Sequence, residues 1–536
     1  MKGEISLPSS FLKLSPSLLL SHPPPFVPPP KPKALPPPAS FEEAIALTGQ
    51  GTKCKWLVVV ASGFCILCGI VETVGISYLL PAARCDLRLT PSDKTLLGGV
   101  TTIGMMLSLW PWGLLADSWG RRPVLLTCLS LDTIFGILSS MAPSLTFLLV
   151  CRFFNGLSVS GPSAVSYAFL SEYHGEAARP RALVVSGLFV ASAVIGMPAT
   201  AWIILTQEIN FILPWGINLS SWRIYLMMMA LPSLISALLI SSLDESPRFQ
   251  MSKGREEEAL KTLASMFSDN TGIPKAEYPV KCLQLGISNH QQPRSKKGGP
   301  LSALHNLWIK ISPLFRPPHI LPLALCCSLQ AGAFLCANGL LMWLPDIFGR
   351  IAASDINSGP LCDALSLASL STVILPMDGD VCQATVDTSA FSNVLVIGGT
   401  VGLAYTLTSL LSGYLNKRIF FGVLMLVGSA IGFGVAPSSP PSLTLALTSV
   451  FHACAGVSIT LLGGLISDIF PTQLRAAALS ISLTFGRFGM VGGSTVIGTL
   501  LEINCESAFH LVAAVALTDA LLSLLLPKKQ NTSSAA

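Results

Sequence analysis

The sequence predicts an all-α membrane protein: twelve transmembrane helices in two six-helix bundles related by pseudo-two-fold symmetry. Three observations predict it. Of 536 residues, 51% are hydrophobic and 11% charged, where a soluble domain carries about 25% charge. Apolar stretches recur at the length of roughly 20 residues that a helix needs to cross a bilayer. Short strings of the first half return in the second at nearly constant offset.

Taken in order, residues 1–55 form a proline-rich tail. Ten prolines fall between Pro23 and Pro38, a composition that favours extended polyproline geometry and builds no packed core. The tail is expected to be disordered and cytosolic, with an SH3-type domain as a candidate reader. The apolar spans of the first bundle (56–243) fall at 56–80, 95–115, 123–142, 145–169, 182–206 and 222–243. A polar cytosolic loop, 244–316, follows. The second bundle (317–527) has spans at 319–344, 391–413, 419–436, 442–466, 476–500 and 507–526, with an outward loop at 345–390 and a short tail at 528–536.

Charge sets the orientation, because cytoplasmic loops collect Lys and Arg. Arg121, Arg122, Arg179, Arg181, Arg248, Lys253, Lys296, Lys417, Arg418 and Lys528 all fall on the amino-terminal side of the membrane. Both termini are therefore expected in the cytosol.

The repeat is concrete. Pro143-Ser-Leu-Thr-Phe-Leu-Leu149 returns as Pro441-Ser-Leu-Thr-Leu-Ala-Leu447, 298 residues further on. Glu172 stands seven residues before Arg179, and Asp468 seven before Arg475. Gly113 and Gly413 open the turns after the second and eighth spans. A duplicated six-helix unit leaves such a pattern, and in transporters built this way the substrate site lies between the repeats.

The strongest local signal is Gly113-Leu-Leu-Ala-Asp117-Ser-Trp-Gly120-Arg121-Arg122. Gly113 is expected to permit close helix contact. Asp117 is expected to accept from amides at the next helix start and to pair with a cation. Gly120 makes the tight turn, and the arginines stay in the cytosol. The string resembles the loop 2–3 signature of the major facilitator superfamily, which implies that fold and a gating role for these residues. The counterpart Gly413-Tyr-Leu-Asn-Lys417-Arg418 is shorter and lacks the acid. Three further strings resemble the sugar-porter and organic-ion branch: Cys151-Arg152-Phe-Phe-Asn-Gly156, Asp244-Glu245-Ser-Pro-Arg248 and Asp468-Ile-Phe-Pro471-Thr-Gln-Leu-Arg475. Val71-Glu72, Leu79-Leu80-Pro81-Ala82-Ala83 and Thr200-Ala201-Trp202 narrow the resemblance to the synaptic vesicle glycoprotein 2 and SVOP-like family, over residues 41–527. This chain departs from that family's acidic pair in span 1, keeping Glu72 but carrying Gly69. In span 10 it has Ile459 and Gly463 where the family has Trp and Asp.

Ionisable groups inside a membrane are costly, about 2.5–3.5 kcal/mol on insertion scales, and usually face a cavity or a partner. Glu72, read as lacking a cation within a helical turn, is the candidate proton or substrate site. Arg152 is a candidate partner for an acid or an anionic substrate, and Arg487 lies deep among glycines in span 11. Asp132 and Asp519 are expected to pair within their own bundles. Trp202, Gln330, Asn338, Trp343 and His452 lie on spans that line the cavity in this superfamily. They offer the aromatic walls and polar tips that small-molecule sites use.

Of 14 cysteines, Cys85, Cys362, Cys382 and Cys505 fall on the outward, disulfide-permissive side. Cys362 and Cys382 share one loop and are the first candidate pair, with Cys85 and Cys505 as alternative partners. Asn218-Leu-Ser220 is an outward glycosylation sequon. No zinc pattern, Walker A string or nucleophile-and-base arrangement is present, so no cofactor, metal, enzymatic activity or nucleic-acid partner is expected. The expected function is secondary active or facilitative transport of a small organic solute, sugar-like or ionic, in the lipid bilayer of the plasma membrane or a vesicle, with protons as a candidate coupling ion. The rival expectation is a membrane protein that has lost transport and serves as a binding partner in vesicle biology.

Overall fold

A computed structural model describes residues 39–49, 53–84, 86–87, 89–175, 178–207, 209–212, 218–283, 311–353, 360–366, 388–411 and 416–527. The first bundle comprises α2 (Lys53–Val74), α3 (Ile76–Ala82), α4 (Pro91–Trp119), α5 (Arg121–Ser140), α6 (Leu145–Glu172), α7 (Arg179–Leu205) and α8 (Ser221–Ser241). Before it lies α1 (Phe41–Leu47), and after it α9 (Pro247–Ser252) and α10 (Glu256–Thr271). The second bundle comprises α11 (Ile320–Phe334), a π-helical turn (Leu335–Gly339), α12 (Leu344–Ala353), α13 (Thr388–Leu411), α14 (Lys417–Val435), α15 (Pro441–Ile469), α16 (Thr472–Ile503) and α17 (Cys505–Ser523). A two-stranded antiparallel sheet, β1 (Asn210–Ile212) with β2 (Asn218–Ser220), closes the turn before α8.

Eleven spans among the described residues are long and apolar enough to cross a membrane. The twelfth, α16, stands where the eleventh span is expected and carries Arg487 and Arg475. Helix starts follow local chemistry. Thr90 and Asp93 form a reciprocal capping box on α4, and Ser144 accepts from the Phe147 amide to start α6. The Pro143 string and its Pro441 copy both sit at helix starts, of α6 and α15.

The packing repeats with the sequence. In the first bundle α2 lies against α7, α4 against α6, and α5 against both α6 and α8. In the second, α11 lies against α16, α13 against α15, and α14 against both α15 and α17. Each pair is the other displaced by six spans, and the halves meet along α4 with α16 and α7 with α13.

Two elements correct the expected domain scheme. Residues 41–47, assigned to the disordered tail, are helical. Ser40 and Glu43 cap the helix reciprocally, and Ala44 and Ile45 are completely buried. The 244–316 segment is more than a loop, because α10 buries Ala259, Leu263 and Met266 on the same cluster as Ile45. Tyr278 donates to the Ala44 carbonyl at 2.8 Å, and Asn270 donates to Thr48 O at 2.7 Å. Residues 1–38 and 50–52 of the proline-rich tail, Lys296, Gly413 and Lys528 lie outside the described residues.

Candidate functional site

The two halves enclose a cavity of about 330 Å³ at their junction. The first half contributes α2, α4, α6 and α7, and the second contributes the π turn, α13, α15 and α16. Most of its wall is apolar, from residues such as Ile66, Val194, Ile397 and Met490. Asn338, His452 and Arg487, three of the sequence candidates, line it.

Asn338 reaches the wall because the chain widens into a π turn there, a distortion concentrated at functional positions in helices. His452 is buried, and its Nδ1 lies 2.9 Å from the Thr448 carbonyl. A carbonyl only accepts, so Nδ1 carries a proton, and in the neutral ring Nε2 is then an acceptor. That nitrogen has no hydrogen-bond partner among the described residues. Arg487 crosses from the second half to the first, where Nη1 donates to Met105 O at 3.4 Å.

Five candidates stand elsewhere. Glu72, read as having no cation near it, is held by Arg152, whose Nη1 donates to Oε2 at 2.5 Å with both side chains completely buried. The partner comes from another helix, 80 residues away, where a one-helix survey does not look. Gly69 and Thr73 line the cavity on α2, whereas Glu72 points into the first bundle. Trp202 is part-exposed on α7. Trp343 is buried and donates to Ser494 O at 2.8 Å. Gln330 is completely buried against Gly486, and neither amide atom has a hydrogen-bond partner among the described residues. Asp132 accepts from Asn155 at 2.9 Å and from Ser233 of α8, while Asp519 lies against Gly332 within the second bundle.

Sequence reasoning passed over Thr102 and Tyr405, which also line the cavity. Tyr405 donates to Gly456 O at 2.8 Å, and the buried Thr102 hydroxyl has no partner among the described residues. Their signal was a polar tip within an apolar span.

The loop 2–3 string forms a clasp on its side of the first bundle. Gly120 has φ 121°, a conformation suited to glycine. Arg121 pairs with Asp117 and Glu172, each at 3.1 Å, and Arg122 donates to Ser241 O at 2.7 Å. Two details differ from expectation. No described residue lies within 4 Å of where a Cβ on Gly113 would stand, so among the described residues close helix contact there is absent. Glu245, from the segment after α8, accepts the Arg121 and Arg122 amides at 3.1 and 3.3 Å, the role expected of Asp117. Burial pushes the Glu245 carboxyl above its ordinary value, opposed by the Ser246, Arg122 and Arg121 amides. In the second half Lys417 pairs with Asp468 at 2.8 Å, repeating the Arg121–Glu172 contact 296 residues on.

At the end of α4 opposite the loop 2–3 string, Lys94 pairs with Asp346 of α12 at 3.3 Å, joining the halves. Asp346 also holds Arg350 at 2.7 Å, and Arg350 holds Glu502 at 3.0 Å. Cys362 is bridged to Cys505, one of the alternatives to the Cys362–Cys382 pair. The bridge ties the 361–366 helix to the start of α17, and Cys85 and Cys382 lie outside the described residues. Asn218 is exposed on β2.

The sequence profile of the Major Facilitator Superfamily matches residues 61–377. The chain belongs to that superfamily. Within it, mouse synaptic vesicle glycoprotein 2B is 29% identical over 249 residues, 45% of this chain and 36% of the relative. Rat synaptic vesicle glycoprotein 2A is 25% identical over 329 residues, 59% of this chain and 44% of the relative. The match thus spans less than half the length of these curated relatives. Among solved structures, a partially occluded inward-open xylose transporter XylE from E. coli superposes with a TM-score of 0.61 at 15% identity, covering 90% of this chain and all of that one. The proton:xylose symporter XylE bound to 6-bromo-6-deoxy-D-glucose gives a TM-score of 0.58 at 16% identity, over 88% of this chain and 96% of that one. At these identities the likeness carries the fold, and this facilitator chain is a multi-pass membrane protein.

Proposed function

We propose that this chain moves a small organic solute across a membrane by alternating access, its two six-helix halves rocking about the central cavity. The observation that carries the reading is the 330 Å³ cavity built from both halves at once. Relative motion of the halves would expose such a site to either side. The superfamily match and the sugar-porter fold support it. Glu72 is the candidate proton site, because protonation would release its hold on Arg152. Both termini and the α9–α10 segment belong in the cytosol on the Lys and Arg distribution.

The test is uptake of a solute panel into proteoliposomes holding the purified protein. Saturable uptake that Ala337→Trp abolishes, by filling the cavity, supports transport. Absence of saturable flux for every solute, from protein that is folded and inserted, favours the rival reading of a binding partner without transport.

A further inference from the structure

We propose that the cavity selects small amphipathic organic anions, with Arg487 anchoring the anionic group and His452 accepting from a hydroxyl on the same molecule. This rests on reading the cavity as the substrate site. Four observations carry it.

Among the described residues of the wall, Arg487 is the one charged side chain that is cationic at every physiological pH, and no carboxylate stands beside it. Its one hydrogen bond among the described residues is the 3.4 Å contact with Met105 O, so most of its five N–H donors are uncommitted. The membrane-embedded acids are held away from the wall: Glu72 by Arg152, Asp132 by Asn155 and Ser233, and Asp519 against Gly332. An incoming ammonium group therefore meets a guanidinium and no counter-charge. An incoming carboxylate or sulfonate meets a planar fork of donors that matches its geometry.

The second anchor is His452. Nδ1 is committed to Thr448 O, while Nε2 is buried, unpartnered among the described residues and on a cavity-lining side chain. A buried acceptor without a donor is costly, and a ligand hydroxyl would supply one. The apolar remainder of the wall calls for an aromatic or aliphatic body. A volume of about 330 Å³ stands at the small end of ligand pockets, which run from about 300 to 1,000 Å³.

The experiment measures binding to the purified full-length protein by equilibrium dialysis. The probes are para-hydroxybenzoate, tyramine and para-hydroxybenzyl alcohol, with the naphthalene homologues of all three. The expected result is carboxylate binding at least tenfold tighter than the matched amine or alcohol. Arg487→Gln should erase that gap and Arg487→Lys retain part of it. His452→Phe should bring para-hydroxybenzoate down to the affinity of benzoate. The inference is overturned if the amine binds as well as the acid, or if no carboxylate of the series binds saturably. Unchanged carboxylate binding in a folded Arg487→Gln protein overturns it too. Wild-type discrimination decides the matter even where a variant fails to fold. Carboxylate binding without vesicle flux would remove the transport reading and keep the anion site. Saturable tyramine flux would do the reverse.

Discussion

Glu72 of α2 and Arg152 of α6 meet at 2.5 Å with no solvent exposure on either side chain. Glu72 Oε1 and two Arg152 nitrogens, Nε and Nη2, have no further hydrogen bond among the described residues, so the two charges answer chiefly to each other.

Removing one partner of such a pair strands the other. Glu72→Gln is expected to lower stability by roughly 3–5 kcal/mol, read as a fall in thermal midpoint by tryptophan fluorescence. Glu72→Gln with Arg152→Gln should be more stable than either single variant. A Glu72→Gln protein that melts with the wild type would show that the pair is not formed.

The Lys94–Asp346 contact joins the halves at the end of α4 opposite the loop 2–3 string, the face proposed to open outward. A part-exposed pair of this kind contributes roughly 0.2–1 kcal/mol, so its loss should raise the outward-open population up to about fivefold. Asp346→Asn is expected to speed labelling of an Asn338→Cys cavity thiol by a membrane-impermeant maleimide added outside, above the background of native thiols. An unchanged labelling rate would assign the contact to folding alone.

Glycines in this fold are not equivalent. A Cβ at Gly156 would strike the Thr101 carbonyl of α4, and one at Gly489 the Ala331 carbonyl of α11. Backbone has little room to retreat at a helix contact. Gly156→Ala and Gly489→Ala should each destabilise by about 1–3 kcal/mol. Gly113→Ala, with open space around it, should be neutral or stabilising by up to about 1 kcal/mol. Equal melting losses at all three sites would contradict the helix contacts.

Cys362–Cys505 closes a separation of 143 residues. Its removal as Cys362→Ser with Cys505→Ser is expected to cost about 2–4 kcal/mol. Peptide mapping without reductant should recover the two cysteines in one linked fragment. Recovery of both as free thiols would refute the bridge.

Asn218 tests the orientation. Enzymatic deglycosylation should increase the mobility of the protein from mammalian membranes, and Asn218→Gln should remove that shift. A glycan instead at the second sequon, Asn531-Thr-Ser533 in the carboxy-terminal tail, would invert the topology.

Residues near one another along the chain carried most of what could be read early. Apolar length set the spans, and the Pro143 and Pro441 strings marked the duplication. The 296-residue offset that relates Glu172 to Asp468 also relates Arg121 to Lys417, and the ion pair between them is found in both halves. The glycine turn at Gly120 was equally local. The α1 helix was legible in principle from Ser40 and Glu43, but the prolines before it masked that short capping signal.

Which face of each span looks inward was a different matter. In water an amphipathic stripe marks the buried side. In a bilayer the lipid and the bundle interior are both apolar, so periodicity no longer distinguishes them. Trp202 and Trp343 therefore read like cavity residues from sequence, yet one is part-exposed on α7 and the other is locked to Ser494. Glu72 looked unpaired because its cation lies 80 residues away on α6, and Glu245 reaches the Arg121 amide from 124 residues away. The sequence by itself determined the spans, their duplication and the charged clasp, because those depend on composition and short spacing. Only the tertiary structure decided that Arg487 and His452 share a cavity while Glu72 and Arg152 neutralise each other, because helix rotation is set by packing between distant segments.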